Sequence, residues 1–111
     1  MEALEGQGGS ADKRRSRRVS YPCEALCFGV GGSIYDPHLT DLSVTGAFVR
    51  TRGELPAGTI VLLRFEAEGQ RVKMEAEVVH AEPGQGMGVR FMNLRPELRG
   101  VLARIAGEPS A

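Results

Sequence analysis

Two short stretches carry residue types from which a binding chemistry could be built: Arg14-Arg15-Ser16-Arg17-Arg18 and Asp41-Leu42-Ser43-Val44-Thr45-Gly46. A guanidinium presents five donors in a planar fork, matched to phosphate oxygens and equally to the O6 and N7 acceptors of guanine. In the second stretch, Asp41 can accept from the N1 and N2 donors of a guanine edge, and Ser43 can donate to a phosphate. Gly46 allows a positive-φ turn or a close backbone approach. Plainer readings stand beside these. An arginine run is also a solvated charge cluster or a nonspecific nucleic-acid tail, and Asp-x-Ser-x-x-Gly can simply satisfy a turn.

Other chemistries have less support. His38 and His80 lack companions, and Asp41 and Ser43 have no histidine in their motif, so no nucleophile–base–orienter set forms and no enzyme is expected. Cys23 and Cys27 on one extended strand would share a face about 13 Å apart, too far for one tetrahedral zinc without a turn between them. They read as two buried or half-buried free thiols, with no metal and no cofactor.

The elements that must position these groups follow from periodicity. Alternating apolar residues predict strands over 19–28, 33–42, 47–52, 59–66, 71–81 and 87–91. Pro22 argues for an edge or a bulge in the first, and Asp36-Pro37 interrupts the second. Leu55 reads as a core plug in the connection between the third and fourth. Leu94, Leu98, Val101, Leu102 and Ile105 then recur at three and four, predicting a short helix that opens near Pro96 and stops at Gly107 and Pro109. The pattern is all-β: a six-stranded antiparallel barrel with a short C-terminal helix.

With 111 residues, the chain supports one domain and one modest core. Its expected organisation is a disordered leader over 1–12, a basic arm over 13–18, the barrel and helix over 19–106, and a flexible tail over 107–111. Formal net charge is zero, yet five of the six residues in 13–18 are basic, which favours one local anion site over a broad basic face. No apolar run reaches the roughly eighteen residues of a membrane span, and no secretory h-region opens the chain, so a cytoplasmic location without membrane insertion is expected.

Together these residues resemble the PilZ domain family, bacterial receptors for cyclic di-GMP. The likeness runs from the Arg14-x-x-x-Arg18 arm through Asp41-x-Ser43-x-x-Gly46 and Ala47-Phe48-Val49. It continues with Leu55-Pro56-Ala57-Gly58-Thr59, Val61-Leu62-Leu63-Arg64-Phe65, Gly86-Met87-Gly88-Val89-Arg90-Phe91 and the terminal helix. The resemblance implies a split β-barrel whose ligand is cyclic di-GMP. Arg14 and Arg18 would grip its bases and phosphates, Arg15 would add a phosphate or stacking contact, and Asp41, Ser43 and Gly46 would line the barrel surface. Lys13-x-x-x-Arg17 is an alternative frame for the arm. Two departures stand out: residues 29–39 are irregular, and His80 lies near a position where relatives often carry arginine.

The expected mechanism is an arm that becomes ordered over the barrel on binding and signals through an unidentified protein partner, the receptor being a monomer or weak dimer. The alternative is a PilZ-like adaptor that does not bind the nucleotide and acts in motility or envelope-linked regulation. A nucleic-acid-binding barrel is a third class, and no nucleic-acid partner is expected, because Tyr21, Tyr35 and the four phenylalanines form no surface stripe for stacking bases.

Overall fold

Side chains alternating at period two give each strand one apolar face, and closing the sheet turns those faces onto a common core. The computed structural model describes residues 17–108; the expected leader, Arg14 and Arg15 of the arm, and residues 109–111 lie outside the described residues. Among the described residues there are seven strands: β1 (Val19–Gly29), β2 (Gly32–Ser33), β3 (His38–Leu42), β4 (Gly46–Arg50), β5 (Ile60–Ala67), β6 (Gln70–Glu82) and β7 (Gly86–Met92). A helix, α1 (Pro96–Ala106), follows them.

The sheet order is β2-β1-β3-β4-β7-β6-β5, and β1 pairs also with β5, so six antiparallel strands close into a barrel. The two-residue β2 only folds back on the end of β1. β1 meets β5 through Ala25–Phe28 alone and then diverges from it, opening a crevice of about 530 Å³ lined by Cys23, Leu26, Arg64 and Glu66 among others. Tyr21 reaches across, its hydroxyl donating to the Glu66 carbonyl at 3.5 Å.

The core is built from the expected faces. Val72, Met74, Ala76 and Val78 of β6 are buried with Val61, Leu63 and Phe65 of β5, Met87, Val89 and Phe91 of β7, and Ala25 and Cys27 of β1. Leu55 packs against this cluster at its edge. Three bulges adjust the pairing. One lies between Ser20 and Cys23, where Pro22 has no N–H to offer the ladder. The second, at Thr40, lets Leu39 and Leu42 both face inward despite their odd spacing. In β6 the extra residue is Val79.

The strand expected over 33–42 is the main correction. Only His38–Leu42 joins the barrel, because Asp36 takes a left-handed backbone (φ 46) and Pro37 follows it, breaking the extended run.

α1 opens with Pro96 in its first turn and buries Val101, Leu102, Ala103 and Ala106. Arg104 ties it to the β5–β6 turn through Glu68, with Nε 3.0 Å from Oε1. Gly107 (φ 73) ends it: its N–H donates to the Arg104 carbonyl, and that of Glu108 donates to Ala103 at 2.9 Å, the double bond of a Schellman stop. Among the described residues, no helix is long and apolar enough to cross a membrane.

Candidate functional site

The β3–β4 turn is organised by the hydroxyl of Ser43. Its Oγ accepts from the N–H groups of Thr45 and Gly46, both at 3.1 Å, and also lies 3.1 Å from Thr45 Oγ1 and 3.3 Å from the Gly46 carbonyl. Ser43 is buried, at 1% exposure, so its hydroxyl faces into the turn and not into solvent. The Ser43 N–H in turn donates to Gly46 O at 2.9 Å, closing the loop from both sides.

Gly46 is small for a packing reason. A Cβ there would stand 2.2 Å from the Val89 carbonyl oxygen of β7, so only glycine lets β4 approach β7 at this register. Of the two roles open to this glycine in the sequence, the structure takes close approach; its φ is not positive.

Asp41 projects outward, one strand-step before the turn. Arg18 Nη1 lies 2.6 Å from Asp41 Oδ1, joining two motifs separated by 23 residues in the chain. The contact follows from register, because β1 begins antiparallel to β3 with Ser20 opposite Asp41. Arg17, beside it, uses its backbone N–H to reach the Glu108 carboxylate at the end of α1. The arm's root is thus set between the second motif and the helix terminus. Of the sequence-expected site residues, Arg18, Asp41, Ser43 and Gly46 come together; Arg14 and Arg15 lie outside the described residues.

Sequence reasoning gave Phe48 no place at the site and named His80 only as a departure; the register puts both in the row that starts at Asp41. Cross-strand pairing sets Asp41 opposite Phe48, Phe48 opposite Gly88, and Gly88 opposite His80, a single outer row across β3, β4, β7 and β6. Gly88 supplies no side chain, and the His80 ring fills that space; a Cβ on Gly88 would meet His80 Cε1 at 2.4 Å. The Phe48 and His80 rings consequently approach to 6.2 Å between centroids. His80 Nε2 is 3.4 Å from Glu82 Oε2, and in the adjoining row Arg90 Nη2 is 2.6 Å from Glu77 Oε1. The advance signals were the His80 departure and the glycine alternating through β7, whose partner cannot be read without the register.

The arrangement offers a carboxylate, a guanidinium and an aromatic edge on one open surface. These bind and orient; they supply no activated nucleophile. Burial pushes the Cys27 thiol up to about 11 and raises Cys23 as well, so neither is a thiolate at neutral pH. Both cysteines are free, and among the described residues no cluster of three metal-ligating side chains occurs.

Comparison with known proteins bears on the family and the fold. The family model described as PilZ domain matches residues 12–108. The crystal structure of the PilZ domain of CeSA from a cellulose-synthesizing bacterium superposes with a TM-score of 0.63 at 22% identity, covering 81% of this chain and 94% of that one. At that identity the likeness concerns the fold. No curated protein matches the chain.

Proposed function

The chain belongs to the PilZ domain family, and from that premise we propose that it binds cyclic di-GMP on the outer face around Asp41, with the arginine arm closing over the ligand. Membership implies a cyclic di-GMP receptor role in general terms, and a non-catalytic one. The observation that carries the specific reading is the 2.6 Å contact between Arg18 and Asp41, which sets the two motifs at one location.

In this account Asp41 accepts from a guanine edge, and Arg18 turns from Asp41 to a phosphate or to the O6 and N7 acceptors of the base. Arg14 and Arg15 add charge-assisted contacts from the arm. Ser43 and Gly46 hold the turn in shape, and Ser43 donates to phosphate only by exchanging a partner within the turn. The ligand's phosphates offset the like-charge repulsion along residues 13–18, holding the arm on the barrel and creating a surface for a protein partner.

Chemical-shift mapping of the full chain with cyclic di-GMP tests this placement. The expected result is a cluster of perturbed amides at Arg18, at 41–48 and around Gly88. Perturbation confined to the β1–β5 crevice would refute it.

A further inference from the structure

A second polar cleft of about 340 Å³ lies beyond the Asp41 row, lined by Tyr35, Asp36, His38, Arg50, Thr51, Arg52, Gly84 and Gln85. Two arginines, a histidine and one carboxylate are among its lining residues. Among the described residues Arg50 has no anionic partner, although its place opposite both His38 and Gly86 fixes its backbone on the sheet.

The cleft is braced from within. Buried Thr51 donates its hydroxyl to the Tyr35 carbonyl at 2.5 Å and accepts from the Gly53 N–H at 2.9 Å, while its own N–H donates to Gln85 O at 3.0 Å. Those bonds fasten the 34–37 loop and the β6–β7 turn to the end of β4. Arg52 stands over the Tyr35 ring at 5.8 Å, and the ring is 64% exposed. His38 Nδ1 lies 3.1 Å from the Asp36 carbonyl, which can only accept, so Nδ1 carries the hydrogen and Nε2 is turned toward Asp36 Oδ1, 4.0 Å away.

We propose that this cleft is a separate site for a nucleoside monophosphate, with Arg50 and Arg52 holding the phosphate and Tyr35 stacking the base. Guanidiniums suit phosphate, and the exposed Tyr35 ring presents a stacking surface that tolerates any base once Arg52 turns from the ring to the phosphate. The volume is at the small end of the roughly 300–1,000 Å³ typical of ligand pockets, which suits a mononucleotide better than a cyclic dinucleotide. The site uses neither Asp41 nor the arm and so stands or falls independently of the function proposed above.

The test is titration of the full chain with GMP, AMP and inorganic phosphate, followed by NMR. GMP and AMP are expected to bind alike and to shift the amides of Tyr35, Arg50, Thr51 and Gln85. Inorganic phosphate should bind roughly tenfold more weakly for lack of stacking. R50A/R52A should weaken all three at least about tenfold through loss of charge-assisted bonds, with its folding checked by thermal melting. Asp36→Asn should tighten binding, and Tyr35→Leu should weaken GMP and AMP but not phosphate. Absence of binding at about 10 mM, retention by R50A/R52A, or AMP shifts confined to 41–48 would overturn the proposal.

Discussion

Arg18 Nη1 sits 2.6 Å from Asp41 Oδ1, so the arm's last arginine occupies the carboxylate assigned to the guanine. The side chains are 50% and 33% exposed, and a pair so placed contributes at most about 1 kcal/mol to stability. Arg18→Ala and Asp41→Ala should each leave the urea midpoint nearly unchanged. Both should weaken cyclic di-GMP binding by roughly 10- to 100-fold, the value of a hydrogen bond to a charged group. A large loss of stability with unchanged affinity would make the pair a structural clasp.

Ser43→Ala should behave in the opposite way. It removes the acceptor of the buried Gly46 N–H, and the same oxygen also accepts from Thr45 N–H at the edge of the turn. A cost of about 1–3 kcal/mol is expected in equilibrium unfolding. Unchanged stability would mean that the hydroxyl is free to serve a ligand.

Gly46→Ala should be among the most damaging single-methyl changes in the chain, since the new Cβ would stand 2.2 Å from the Val89 carbonyl oxygen. Forcing β4 from β7 should cost about 3 kcal/mol. Gly31→Ala, with no atom within 4 Å of its new Cβ, is the control and should change stability by under about 0.5 kcal/mol. Comparable effects at the two positions would contradict the close-approach reading.

Cys27 gives the fold an alkaline limit. Its thiol pKa rises from 9.0 to about 11 because the side chain is buried, so the folded state keeps a proton that the unfolded chain releases. The sign follows from linkage. This contribution is fully present below about pH 9 and is lost as pH climbs through about 11. Urea midpoints should fall over that window more steeply for the natural chain than for Cys27→Ala, and parallel curves would contradict the assignment.

The sequence made the strands legible where period two was uninterrupted. Val72, Met74, Ala76 and Val78 face the core as expected, and the bulge suspected from Pro22 is present in β1. Gly107 stops the helix. Legibility failed where local backbone geometry or long-range register decides. Asp36 in the left-handed region removes half of an expected strand. The inward turn of the Ser43 hydroxyl depends on where two amides point, and the Asp41–Phe48–Gly88–His80 row depends on pairings between distant segments. The motif named residues that the closed barrel brings together, while the place of Phe48 beside them emerged only from the register.

Titration calorimetry of the full-length chain with cyclic di-GMP, run beside the Arg18→Ala/Asp41→Ala double variant, tests the central claim most directly. Saturable binding by the natural chain, with heat lost in the folded double variant, is the result this account requires. A folded natural chain that shows no heat at about 100 µM ligand, a concentration that corresponds as a Kd to roughly −5.5 kcal/mol, would contradict it and leave a PilZ-like adaptor that works without the nucleotide.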